Sequence, residues 1–239
     1  MGRNSVIQAP ELILTIDGPA GSGKSTTARL LAQKLDYLYL DTGAMYRAIT
    51  LKVLRNNLHE QDSTAVVNLV TATDIELQQR KSALIVLLDG EDVSALLRSP
   101  EIDHEISWVC QISEVRERMV ALQRGLGRNG GIVAEGRDMG TVVFPEADLK
   151  FYLTASLETR GLRRWQEMQA KNVNIPLAEV IAELQRRDKI DMERPLSPLQ
   201  KAEDAIEVNT TNMTISQQTE FILHKVQEYL RWLVMNDSD

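Results

Sequence analysis

The chain has 239 residues, a formal net charge of −7, 43% hydrophobic and 26% charged residues, and a single cysteine. This length suits one α/β domain with a small inserted lobe and a sizeable core, and the acidic balance argues against a general nucleic-acid partner. Cys110 cannot form an internal disulfide, MGRNSVIQAP lacks the apolar stretch of a secretory signal, and no apolar run is long enough to span a bilayer, so a cytoplasmic protein with no membrane partner is expected.

Residues 1–10 read as a flexible tail ending at Pro10. Five short apolar runs follow: LILTID (12–17), YLYLDT (37–42), GIVAEG (131–136), LKFYLTA (149–155) and AIEVNT (205–210). Short runs with little alternation predict strands buried on both faces of a parallel sheet. Helical patterns at 24–35, 44–57, 156–170, 177–193 and 215–234 lie between or after them. That alternation predicts a three-layer α/β/α fold around a five-stranded parallel sheet. The rhythm breaks over 73–98, where two or three short strands turn at Asp89-Gly90 before helical patterns at 101–109 and 113–126. An inserted antiparallel-β/α lobe over 61–129 is therefore expected. The core domain comprises 11–60 and 130–235, with a flap over about 160–195 that includes KNVNIP.

The first run leads into GPAGSGKST. Gly18, Gly23, Lys24 and Ser25 fit G-x-x-x-x-G-K-[ST], with Pro19, Ala20, Gly21 and Ser22 between them and Thr26 after. Glycines let successive backbone N–H groups point into one concavity, and the helix that follows presents its positive end to the same anion. Lys24 can reach the β- and γ-phosphates, and the Ser25 hydroxyl can ligate Mg²⁺ directly. A nucleoside triphosphate is expected. The acid that assists the metal is either Asp41 or Glu135, each at a strand end.

A simple nucleotide holder has no use for the arginines at the element ends. DTGAMYR places Thr42 and Arg47 after the second strand, and EGRDMG places Arg137 and Asp138 after the third. RRDKIDMERP sets Arg187, Asp191 and Arg194 at i, i+4 and i+7, on one helix face, with Pro195 ending the helix at Arg194. RGLRRW adds Arg160, Arg163 and Arg164 after the fourth strand. Ligands of open α/β sheets bind at this carboxyl edge, and guanidinium forks there suit a second phosphorylated substrate.

Taken in order, IDGPAGSGKST, LDTGAMYR, DGEDVS, EGRDMGTVVFP and RRDKIDMERPLSPL closely resemble bacterial cytidylate kinases of the long type, over about residues 12–230. The resemblance implies a P-loop kinase whose inserted lobe binds the nucleoside monophosphate. It implies ATP and Mg²⁺ as cofactors, with ATP held by Gly18 to Thr26 and by Arg160 and Arg164. CMP or dCMP is the implied acceptor, bound by Thr42, Arg47, Ser107, Arg116, Arg137, Asp138, Arg187, Asp191 and Arg194. Within that set Arg47 and Arg137 match phosphate-binding arginines, Ser107 and Arg116 match positions near cytosine and sugar, and Asp138 matches the acid on the cytosine edge. Arg187 and Asp191 match the pair near the ribose, and Lys24, Arg137 and Arg194 carry catalysis. Glu135 departs from the family pattern, in which Asp commonly precedes GRD. The expected reaction is direct in-line phosphoryl transfer from ATP to CMP or dCMP in pyrimidine metabolism, by a monomer that binds small nucleotides. Kinases acting on AMP, UMP or shikimate are the nearest alternatives. A GTPase-like switch would need N-K-x-D, which the chain lacks. His59, His104 and His224 fall in no constellation and read as structural or surface residues.

Overall fold

The computed structural model describes residues 11–236 except Lys81 and Ser82, so the tail expected over 1–10 lies outside the described residues. Five parallel strands build the main sheet: β1 (Ile13–Asp17), β2 (Leu38–Asp41), β6 (Ile132–Gly136), β7 (Leu149–Thr154) and β8 (Ile206–Asn209), in the order β2-β6-β1-β7-β8. β1 and β6 are buried along almost their whole length, which explains their near-continuous apolar sequences. Helices α1 (Lys24–Leu35) and α8 (Ile215–Asn236) cover one face, closing a core of Leu14, Ile16, Leu31, Phe151, Leu153, Ile222 and Val226. Helix α2 (Thr42–Arg55) covers the other. The sheet and the flanking helices form the expected three-layer α/β/α fold.

Beyond α2, a helix the sequence reading did not anticipate, α3 (Ser63–Thr71), precedes an antiparallel sheet of β3 (Ile75–Arg80), β4 (Ala83–Leu88) and β5 (Glu91–Asp92). Asp89 and Gly90 both take positive φ, 50° and 83°, as a type I′ hairpin turn requires. Helices α4 (Pro100–Val109) and α5 (Ser113–Leu126) follow, α4 starting on a Ser99 side-chain cap with proline in its first turn. Val66, Val86, Val109, Val115 and Met119 from this segment join Met45, Ile49 and Val53 of α2 in one hydrophobic cluster. The segment is thereby packed onto the body that carries the phosphate loop.

Helices α6 (Leu157–Gln169) and α7 (Leu177–Glu193), between β7 and β8 in the chain, pack against each other. Among the described residues no helix is long and apolar enough to cross a membrane.

Candidate active site

The carboxyl edge of the main sheet opens into a cleft of about 1310 Å³. One wall is the loop between β1 and α1. Gly18 has φ 148°, and a Cβ there would lie 2.1 Å from the Leu153 carbonyl oxygen of β7, so the close approach of loop to sheet demands glycine. The loop is held from behind. Arg160 Nη1 donates to the Ala20 carbonyl (3.1 Å), Arg163 Nη1 to that of Gly21 (3.4 Å), and Thr210 Oγ1 to that of Ser22 (2.8 Å). With these carbonyls engaged, the N–H groups of Gly21, Gly23 and Lys24 have no acceptor among the described residues, and α1 begins without a side-chain cap. Unpaired donors at a helix N-terminus make an anion site.

Lys24 lies at the mouth of that nest. Its Nζ is 3.5 Å from the Pro19 carbonyl and 3.8 Å from Glu135 Oε2. Burial and the neighbouring Arg137 lower its pKa to about 7, outweighing the opposing pull of Glu135. Register pairs Asp41 of β2 directly with Glu135 of β6, so the two candidate acids stand side by side. Asp41 Oδ1 accepts from Ala44 N (2.9 Å), capping α2, and Oδ2 is 3.7 Å from Arg98. Glu135 Oε1 accepts from the Tyr39 hydroxyl (3.0 Å), whose own ionisation is suppressed by burial and by that carboxylate. Ser25 and Thr26 line the cleft, whereas the buried Ser22 hydroxyl does not.

The opposite wall is cationic. Arg137 Nε donates to Asp191 Oδ2 (2.8 Å), and Arg194 stands 3.8 Å from both Asp191 and Asp138. Arg194 occupies the C-cap of α7 in extended geometry, as Pro195 dictates, and its Nε donates to the Ser197 carbonyl (2.7 Å). Arg116 donates to Asp138 in a closely packed, fully buried pair and lies over the Tyr46 ring, 5.6 Å from its centroid. Arg47 donates to Asp103 (3.1 Å), and Thr42 Oγ1 donates to the Glu135 carbonyl (2.7 Å). Ser107 faces the same cleft from α4.

Arg187 makes no ion pair among the described residues; desolvation, then Arg137 and Arg47, lower its pKa to about 10. On this wall the salt-bridge partners of Arg47, Arg116, Arg137, Arg164 and Arg194 are Asp103, Asp138, Asp191 and, for Arg164 alone, Glu167. Arg47 Nε, Arg116 Nε and Arg194 Nη2 are buried without a hydrogen-bond partner among the described residues. In a chain of net charge −7 this is a local concentration of positive charge suited to anions.

Of the twenty residues singled out as ligand-binding in the sequence, the structure brings most to this cleft. Gly18, Pro19, Ser22 and Arg160 do not line it; Arg160 is buried, salt-bridged to Asp188 at 2.7 Å, and serves the back of the phosphate loop. Arg163 of the same helix lines the cleft as well as donating to the Gly21 carbonyl. His104 and His224 have largely exposed side chains and lie outside the cleft.

Three contributors escaped the sequence reading. Asp17 ends β1 and accepts from the N–H groups of Met139 (2.9 Å) and Gly140 (2.8 Å), fixing the loop that carries Arg137 and Asp138. Burial raises its pKa to about 7 despite those two bonds. The signal was an acid ending an otherwise apolar strand. Asp103 shares a helix face with Ser107, four residues on, and Arg98 reaches the Asp41 carboxylate.

Comparison with known proteins agrees with this geometry. A family model described as cytidylate kinase matches residues 14–228. A cytidylate kinase of Bacillus velezensis is 45% identical over 221 residues, covering 92% of this chain and 99% of its own. One of Bacillus subtilis is 44% identical with the same coverage, and one of Carboxydothermus hydrogenoformans is 47% identical over 85% of this chain and 92% of its own. With a phosphate loop, an opposing arginine wall and relatives matched along nearly their full length, the chain belongs to the cytidylate kinase family.

Proposed function

We propose that the protein transfers the γ-phosphoryl group of ATP to the 5′-phosphate of CMP or dCMP, yielding ADP and CDP or dCDP by direct in-line displacement. The observation that carries this reading is the uncompensated arginine wall facing the phosphate loop across one cleft. A site for ATP alone would need no second positive surface. Residues 11–60 and 130–235 serve as the core domain, 160–195 as the flap, and 61–129 as the lobe that grips the monophosphate.

The acceptor phosphate is ionised and is itself the nucleophile, so no general base is required. Catalysis rests on alignment and on charge stabilisation. The N–H groups of Gly21, Gly23 and Lys24 hold the donor phosphates, and Lys24 reaches toward the bridging region. Arg47, Arg137 and Arg187 take the acceptor phosphate, with Asp191 orienting Arg137. Arg194 and Arg137 meet the charge that develops on the transferring group. Asp138 is fixed by Arg116 and accepts from the exocyclic amine of cytosine. Uracil offers a carbonyl there, which would oppose the carboxylate.

The residues beside Lys24 also fit Mg²⁺. Ser25 supplies a hydroxyl, and Asp41 and Glu135 supply adjacent carboxylates, all hard oxygen donors that act directly or through water. Bound there, the ion would neutralise phosphate charge.

The test is a panel of nucleoside monophosphates with ATP and Mg²⁺, followed by ADP formation. Turnover of CMP and dCMP is expected. Turnover of UMP or AMP with none of CMP would overturn the reading.

A further inference from the structure

Behind the arginine wall, one carboxylate joins three parts of the molecule. Asp103 sits on α4, in the segment after the antiparallel sheet. Its Oδ1 accepts from Arg47 of α2 (3.1 Å) and its Oδ2 from Arg164 of α6 (2.9 Å). Both arginines line the main cleft, but Asp103 does not. It lines a second cavity of about 450 Å³ on the other side, between α4 and the α6–α7 pair. The carboxylate therefore backs the two guanidinium groups and leaves the phosphate positions free. Each arginine spends one nitrogen on it; the buried Nε of Arg47 has no hydrogen-bond partner among the described residues.

We infer that Asp103 is a positioning residue that couples the donor and acceptor halves of the site, by holding Arg47 and Arg164 in one shared, two-sided ion pair. The inference rests on the proposed function, in which Arg47 meets the acceptor phosphate, and on the family resemblance, which implies that Arg164 meets the donor phosphates. When ATP draws Arg164 and its helix toward the phosphate loop, Asp103 moves with it and brings α4, Ser107 and Arg47 onto the acceptor. By reciprocity, CMP must tighten ATP to the same degree.

Electrostatics are consistent with this. Burial alone would raise the Asp103 pKa, but Arg47, Arg164 and, more distantly, Arg187 outweigh it and keep the group ionised. Glu167 is the other acid on Arg164, at 3.3 Å, with a mostly exposed side chain. Among the described residues it makes no ion pair or hydrogen bond with Arg47 or α4, so it does not supply the bridge.

The experiment is calorimetric titration of CMP into the intact protein, with and without a saturating β,γ-imido analogue of ATP plus Mg²⁺, for wild type and Asp103→Asn. Asparagine keeps the shape but presents one acceptor and one donor, so it can serve only one arginine. For the wild type, the analogue should tighten CMP by about 5-fold or more, the ordinary range of coupling between sites. In Asp103→Asn that factor should fall to within about 2-fold of unity, while affinity for the analogue alone stays nearly unchanged. A purely structural role would lower the melting temperature and leave the coupling factor intact. An unchanged factor in Asp103→Asn, or no coupling in a wild type that binds CMP, overturns the inference and spares the functional reading. A wild type that binds no CMP overturns both. Asp103→Glu, which restores a two-oxygen acceptor, should recover part of the coupling.

Discussion

The two walls of the cleft attract anions by different physics. The phosphate-loop wall is contiguous in sequence and works mainly through backbone: peptide N–H groups without acceptors among the described residues, a helix N-terminus, and carbonyls pinned by Arg160, Arg163 and Thr210. The facing wall is assembled from α2, α4, α5, α7 and the loop after β6, and works through side-chain charge. Backbone dipoles are fixed by the fold and cost nothing further to orient. Side-chain charges must be held against mutual repulsion, and Asp103, Asp138 and Asp191 each bridge two arginines. The first wall should tolerate loss of a side chain in binding but not in catalysis; the second should lose acceptor recognition with each guanidinium removed.

Lys24 is the point at which the comparison is most easily broken. Lys24→Met keeps the stem and removes the charge, so turnover should fall by about 10³-fold, the scale of one well-placed electrostatic donor. Nucleotide affinity should weaken far less, because the N–H nest survives. Equal losses in the ATP dissociation constant and in kcat would mean that the lysine, not the backbone, carries binding.

Arg187 sharpens the other side. It has no ion pair among the described residues and is held near Arg137 and Arg47. Arg187→Met should lower kcat/KM for CMP by about 10²-fold. The same substitution relieves like-charge repulsion, so the ligand-free protein should melt about 2–4 °C higher. Stability gained as activity is lost is the signature of a side chain kept for its ligand. A drop in melting temperature would make Arg187 a structural residue.

Legibility followed the same division. The phosphate loop was readable because its requirements are local: glycines at fixed spacing, then a lysine and a hydroxyl at a helix start. The five main strands and their helices were readable because burial on both faces leaves no polar alternation. Arg137, Asp138, Arg187, Asp191 and Arg194 were marked by position at element ends, and resemblance supplied their roles. Arg160 shows where such reading stops. Three arginines on one turn look alike in sequence, and only packing decides that Arg160 turns to Asp188 and Ala20, Arg163 to Gly21 and Thr210, and Arg164 to Asp103. Helix α3 was missed because its stretch, STAVVNLVT, is short and rich in β-branched residues; Val66 and Val70 stabilise it through contact with the α2 cluster. Asp17 and Asp103 act on groups more than fifty positions away, a relation no local pattern encodes.

The Asp138–Arg116 pair offers a finer test of the side-chain wall. In Asp138→Asn the amide oxygen can face Arg116 while its N–H₂ faces the base, where uracil supplies an acceptor. The CMP-to-UMP ratio of kcat/KM should therefore fall by at least about 10-fold. Loss of the buried charge leaves Arg116 uncompensated, so stability should also drop, by about 3 kcal/mol. Denaturant melts alongside the kinetics separate the two effects. A stable variant with an unmoved CMP-to-UMP ratio would take Asp138 away from the base.

The smallest effect is a proton. Lys24 has a pKa of about 7 in the ligand-free protein because it is buried beside Arg137, against an ordinary value near 10.5. Triphosphate oxygens placed against it supply the opposite charge and return the pKa toward that ordinary value. At pH 8 the free lysine is mostly neutral and the bound lysine charged, so binding should take up about 0.9 proton; at pH 7 about 0.5, and at pH 6 close to none. Titrating nucleotide in buffers of different ionisation enthalpy measures that number directly, and Lys24→Met subtracts the nucleotide's own proton balance. The same linkage sets the sign of pH dependence without ligand. Between pH 7 and 10.5 the unfolded chain binds the extra proton, so this group's contribution to stability rises with pH across that window. Bound nucleotide should flatten the slope. A wild-type uptake that matches Lys24→Met at pH 8 would mean the lysine is already charged before nucleotide arrives. The phosphate-loop wall would then carry a full standing charge like its neighbour, and the contrast between a backbone site and a charge site would lose its strongest support.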